Sequence, residues 1–135
     1  MAKVFPSDAQ INLVIADDVR QEVNSKISLS GYYVANSMNV KDLGSSVPLT
    51  FLVVVLEGEG TFKFKMDFFA PSGNPIFQGP EAEFIKEPGK ASVSIAKFGN
   101  FPVSAVGKYR IDMYFDGKKF SRELTVGHDP TIVGI

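Results

Sequence analysis

The chain has 135 residues, 44% of them hydrophobic and 21% charged, a balance that excludes a disordered or collagen-like polypeptide and suits one folded domain over residues 1–135. Fourteen basic against fifteen acidic residues exclude a polybasic nucleic-acid binder and an acidic tail protein. With no cysteine, disulfides, thiolate metal sites and cysteine nucleophiles are excluded as well.

In the opening MAKVFPSDAQ, Pro6, Ser7 and Asp8 interrupt any apolar stretch of secretory-signal length, so a cytoplasmic location is expected. Apolar residues then recur with period two and not 3.6, which predicts strands. Ile11–Ala16 is the first. Asp17–Asn24 reads as a helical turn, because Asp18 and Gln21 have capping-box spacing. Lys26–Val34 is the second strand, followed by a polar loop at Asn36–Ser46.

Leu49–Leu56 is the third strand, and within it Phe51–Leu56 is apolar on both faces. It falls far short of the ~20 residues of a membrane-spanning helix, so no transmembrane segment is expected. A strand in a two-layer protein ordinarily shows one face to water, so this run calls for cover by a loop, by the C-terminal tail or by another subunit. Gly58 and Gly60 then predict a hairpin joining it to Thr61–Phe69, where Phe62, Phe64, Met66 and Phe68 alternate with Lys63, Lys65 and Asp67.

Pro71–Gly89 is punctuated by proline and glycine and reads as a crossing loop, with Glu83–Lys86 as a short extra strand. Lys90–Phe98 is a further strand of alternating serine and apolar residues. The best-specified element comes last. Asp116-Gly117 is a type I′ turn dipeptide, which sets Phe115 opposite Lys118, Met113 opposite Phe120, Arg110 opposite Glu123 and Tyr109 opposite Leu124. Tyr109, Ile111, Met113, Phe115, Phe120, Leu124 and Val126 then face inward, and Arg110 pairs with Glu123. Arg122 falls on the apolar side and is expected to bury its stem while its head reaches solvent. Residues 128–135 read as a tail whose Ile132, Val133 and Ile135 either fray or add to a neighbour's edge.

About seven short strands with turn signals between them predict an all-β, antiparallel Greek-key β-sandwich of immunoglobulin-like type. Gly107-Lys108-Tyr109 matches the position of a tyrosine corner in such folds.

The run Asp17-Asp18-Val19-Arg20-Gln21-Glu22, then Lys26-Ile27-Ser28-Leu29 and Gly31-Tyr32-Tyr33, resembles the N-terminal signature of an uncharacterised bacterial family of small proteins. There an apolar strand leads into an acidic Asp-Val/Ile-Arg-Gln-Glu turn, a Gly-Lys pair opens the next strand, and a Gly-x-Tyr segment ends it. Here Ser25-Lys26 stands in place of Gly-Lys, and a weaker echo lies in Gly107–Val126. The resemblance implies a cytoplasmic, sandwich-like bacterial protein of unknown function; it carries over no activity, cofactor or site residue.

Asp17, Asp18, Asp112 and Asp116 are the acids that strand ends would offer to calcium, an ion that takes six to eight oxygen ligands. Capping, hairpin formation and outward alternation account for Asp18, Asp116 and Asp112 without a metal. Residues 86–122 concentrate eight basic groups (Lys86, Lys90, Lys97, Lys108, Arg110, Lys118, Lys119, Arg122) against three acidic ones. With Phe98, Phe101 and Tyr114 they have the ingredients of a single-strand nucleic-acid surface, but lysines that keep strand edges soluble explain them more simply. No nucleic-acid partner is therefore expected. Glu57 and Glu59 lie two apart, as a glycosidase pair requires, yet Gly58 and Gly60 mark them as turn residues. His128 is the single histidine and falls in the tail. No GxSxG, GxxxxGK[ST] or HExxH motif occurs, so no catalytic, cofactor-binding or metal residue is assigned. The expected function is non-catalytic binding or assembly, through a homo-oligomer or another protein at Phe51–Leu56. The alternative is a ligand module that uses Asp17–Asn24, Asn36–Ser46 and Pro71–Gly89 for calcium, carbohydrate or a membrane surface.

Overall fold

A computed structural model describes residues 3–132, apart from the side chain of Ser25; Val133 and Ile135 of the expected tail lie outside them. The described residues form ten strands: β1 (Ile11–Gln21), β2 (Ile27–Tyr32), β3 (Ser37–Val40), β4 (Ser45–Val55), β5 (Gly60–Phe69), β6 (Pro75–Gln78), β7 (Ala82–Lys86), β8 (Ser92–Val103), β9 (Gly107–Phe115) and β10 (Lys118–His128). Beyond the expected seven, the short extra strand expected at Glu83–Lys86 forms as β7, and two more arise: β3, inside the segment read as a polar loop, and β6, inside the proline- and glycine-rich one. One sheet has the order β2-β1-β4-β8, the other β3-β10-β9-β5-β6, with β7 also on β5. Pairing is antiparallel except for β3, which runs parallel to β10.

β4 pairs with β8 in one sheet while their successors β5 and β9 pair in the other, the interlocked crossing of a Greek-key sandwich. The expected hairpin between Leu49–Leu56 and Thr61–Phe69 is thereby overturned, for β4 and β5 lie in different sheets. Their linker is a corner. Glu59 exchanges both backbone hydrogen bonds with Val4, at 2.8 and 2.9 Å, and Lys86 Nζ donates to Gly58 O at 3.2 Å. Gly58 sits at φ +113 against the Val4 carbonyl, where a Cβ would collide, so its glycine serves a crossing and not a tight turn.

The Asp116-Gly117 hairpin forms in the expected register, with both residues at positive φ (50° and 82°). All seven expected inward residues are buried. Tyr109 makes the corner: its hydroxyl donates to Ala105 O at 2.8 Å and accepts from Ala105 N at 3.3 Å. Arg110 and Glu123 are opposite one another, but the ion pairs are Arg110–Asp112 at 3.2 Å and Lys108–Glu123 at 3.8 Å. Arg122 turns its head inward, not to solvent. It reaches across to the first sheet, donating to Asp8 Oδ1, Asp8 O and Ile11 O, each at 2.8 Å.

The two-sided apolar β4 finds its cover within the same chain. Phe51, Val53 and Val55 enter the inter-sheet core, while Leu52 on the outer side is 3% exposed, in a cluster with Ala16 and Val19. β1 outruns its pairing with β4 and continues with β2 as a hairpin folded back over the sheet's outer face; Val14, Ile27, Val54, Val93 and Ile95 complete the cluster. Asp17–Asn24 is therefore not a helical turn: strand pairing through Gln21 buries Val19 opposite Leu29, and Asp18 bonds Lys97 and Arg20 in place of a cap. Only Val23–Ser25 turns, with Asn24 in the left-handed region at φ 63°. Gly31 is dictated twice, by φ +68 and by Asp17, whose carboxylate occupies the space a Cβ would need.

A candidate binding slot between the sheets

The residues singled out for chemistry do not converge. Asp17 accepts the Tyr33 hydroxyl at 2.5 Å, and Asp18 lies between Lys97 (3.1 Å) and Arg20 (3.3 Å). Asp116 takes Lys3 at 2.6 Å and the Lys63 N–H at 2.7 Å, so it anchors the N-terminal arm. Hydrogen bonds from Lys97 and then Arg20 hold the Asp18 carboxyl below its ordinary range, and Lys3 with the Lys63 amide does the same for Asp116. Burial, and then Asp17, push the Tyr33 phenol well above its ordinary value. No group of three or more His, Asp or Glu that could hold a metal occurs among the described residues.

Of the eight basic residues, Lys90, Lys97, Lys108, Arg110 and Arg122 each form an ion pair. Lys86 is buried and donates to Gly58 O and Glu87 O, and the Lys118 ammonium lies over the rings of Phe5 and Phe120. The aromatics expected beside them are committed too: Phe98 and Phe101 pack with Phe51 and Phe68, and the Lys65 ammonium covers the Tyr114 ring at 4.9 Å. Phe69 lies under Arg110 at 4.2 Å. His128 is no tail residue. It closes β10, paired with Val40, and its Nε2 lies 2.9 Å from Lys41 O.

Asp112, expected to alternate onto the solvent face, does lie on the outer face of the second sheet, but it stands directly opposite Asp67 and both are buried, 4% exposed for Asp67 and 1% for Asp112, which sequence reasoning did not foresee. Asp112 accepts Ser121 Oγ at 2.7 Å and Arg110 Nε at 3.2 Å; Asp67 Oδ2 pairs with Lys65 at 3.3 Å, and its Oδ1 has no hydrogen-bond partner among the described residues.

Nor did it foresee a slot at the side of the sandwich where β8 faces β6 and β7. β5 carries two short strands along this edge, β7 on Gly60–Phe64 and β6 on Asp67–Phe69, and between them the edge is broken at Gly79-Pro80. Gly79 donates to Met66 O at 2.9 Å and packs so closely on it that a Cβ would overlap that oxygen; Pro80 has no N–H to extend the ladder. Behind the break, β8 turns Ser94 and Ala96 inward, opposite Val53 and Phe51 of β4. These small residues leave a cavity of about 160 Å³, open to solvent, walled by Phe64, Met66, Phe68 and Phe77. Phe77 on the rim is 45% exposed. The sequence signal for the slot was the serine and alanine alternation of β8, read only as a strand pattern.

Comparison with curated proteins returns no match. Among solved structures, a β-glucosidase from Listeria innocua in complex with isofagomine is 11% identical, with 87% of this chain and 16% of that one covered and a TM-score of 0.40. The Pseudomonas fluorescens alkylpurine DNA glycosylase AlkC, bound to DNA containing an abasic site analog, is 10% identical over 87% of this chain and 30% of that one, also at 0.40. The chain thus spans a small part of the structures it is similar to. Residues 12–126, nearly the whole sandwich from β1 to β10, match one family model, and the chain belongs to that family, DUF6941, a family of unknown function.

Proposed function

We propose that this protein is a non-catalytic binding module and that its binding element is the slot between β8 and the β6–β7 break. The observation that carries the reading is an apolar cavity of about 160 Å³ left open at a sandwich edge beside a half-exposed Phe77. Concave, mostly apolar sites with few polar groups are the usual form of a small-ligand pocket. The spread of the aspartates and the ion pairing of most basic side chains support a role without chemistry, metal or nucleic acid. An immunoglobulin-like grouping is supported by the β4–β8 and β5–β9–β10 pairings and the Tyr109 corner. A bacterial, cytoplasmic setting goes with the Asp17–Tyr33 signature, and among the described residues no helix is long and apolar enough to cross a membrane. Benzene is the test ligand: it should raise the melting temperature of the native protein and not that of Ala96→Leu, which fills the slot. Equal shifts, or none, contradict the reading.

Assembly is the second reading, moved from Phe51–Leu56 to the free edge of β2. Ile27–Tyr32 carries no charge and no proline, and exposes Leu29 and Tyr32, whereas β6 opens with Pro75, β7 carries Glu83 and Lys86, and β8 carries Lys97 and Pro102. Light scattering that finds a monomer at high micromolar concentration removes self-pairing through this edge.

A further inference from the structure

We propose that the slot takes a single uncharged aromatic ring bearing one hydroxyl or N–H group; this rests on the reading of the slot as the binding element. Size comes first. A cavity of about 160 Å³ is of the order that holds one benzene-sized group. The walls then select the kind of group. Two of them, Phe68 and Phe77, already stand in a herringbone with Phe98, which is not itself a wall, Phe68–Phe98 at 4.8 Å and 79° and Phe77–Phe98 at 5.5 Å and 89°, and Phe64 continues the aromatic lining toward the break. A further ring can extend this edge-to-face order, which an aliphatic group of equal volume cannot. Met66 adds a polarizable thioether.

The polar groups define the substituent. Ser94 lines the slot, and its hydroxyl makes no hydrogen bond to another described residue. It is free to accept from a phenolic O–H or an indole-type N–H, or to donate to the former. Lys65 stands at the rim, but its ammonium is already held by Asp67 at 3.3 Å and the Tyr114 ring at 4.9 Å, so the site offers no free cation to an acid. The break supplies the entrance, since neither β6 nor β7 pairs with β5 between Phe64 and Asp67.

The methionine methyl signals provide the readout, because Met66 lines the slot while Met38 stands on β3, at the opposite edge of the second sheet from β6; Met113, opposite Met66 on β9, is no control. In ¹³C-methyl-methionine protein, phenol should shift the Met66 signal and leave that of Met38 in place. Cyclohexane should bind about fivefold more weakly, the margin of an aromatic pair. Ser94→Ala should weaken phenol by about fivefold, the margin of one hydrogen bond, with benzene unchanged. Ala96→Leu should abolish both. Cyclohexane binding as well as phenol overturns the aromatic assignment and leaves the slot standing as a binding element. Absence of any Met66 response to phenol, benzene or cyclohexane overturns both. Equal movement of the Met66 and Met38 signals, or phenol affinity unchanged in Ser94→Ala, overturns the inference.

Discussion

The two long sides of the sandwich are finished in opposite ways. Where β1 faces β10, Arg122 spans the sheets with three hydrogen bonds to Asp8 and Ile11, and the chain from β2 to β3 passes close by, its Tyr33 packed on the core. Where β8 faces β5, no side-chain hydrogen bond among the described residues ties the sheets; Phe98 packs on Phe68 and Phe77, small residues on β8 meet a broken edge, and aromatic surface lies open. The difference teaches that this chain closes one side with a half-buried cation and local cover, and that the opening on the other side is a property of particular residues: Gly79, Pro80, Ser94 and Ala96.

The comparison can be broken first at Arg122. Its side chain is 20% exposed, and Arg122→Ala takes the guanidinium from the Ile11 carbonyl and from the Asp8 carboxylate, leaving Asp8 O with the Ile11 N–H alone, so urea unfolding should register a loss of about 3 kcal/mol. A loss under about 1 kcal/mol would mean that the bridged side is not held by its bridge. Next comes the hairpin over the first sheet. Val19→Ala removes two methyl groups from a 1%-exposed position above Leu52 and should cost about 2 kcal/mol by the same measurement, with hydrogen exchange rising in β1 and β2 before β4.

On the open side the sign reverses. Ala96→Leu should leave stability unchanged or raise it by about 1 kcal/mol, since the added carbons enter existing space. A cost of about 2 kcal/mol, the mark of an overpacked core, would show that the slot is not there. The smallest effect concerns Asp18, which ties the hairpin to Lys97 on β8. Its carboxyl is held below the ordinary 3.8 by Lys97 and Arg20, so its contribution is complete above about pH 4 and is lost as pH falls through the lowered folded value. Acid titration of unfolding should show stability falling below that point, and Asp18→Asn should make the fall shallower.

The parts legible in the sequence are those whose instructions are local. Asp116-Gly117 fixes its hairpin because two adjacent residues must both take positive φ, and every facing pair follows from that. The alternation in β5 is equally self-contained. What alternation does not encode is which strand lies beside which, so β4 and β5 were joined through Gly58 and Gly60 although the chain crosses sheets there. The apolar outer face of β4 correctly demanded cover, but the cover is the Asp17–Gln21 extension of β1, whose acids and capping spacing imitate a helix start. The slot was hidden for another reason: it is space, enclosed by small residues that stand far apart in the sequence and meet only when β6, β7 and β8 are in place.

The open side is tested most directly by diffraction from crystals held under xenon pressure. The account predicts one strong xenon position between Phe64, Phe68 and Ala96, absent in crystals of Ala96→Leu. Xenon found instead beneath the β1–β2 hairpin beside Leu52, or nowhere in the molecule, would contradict it.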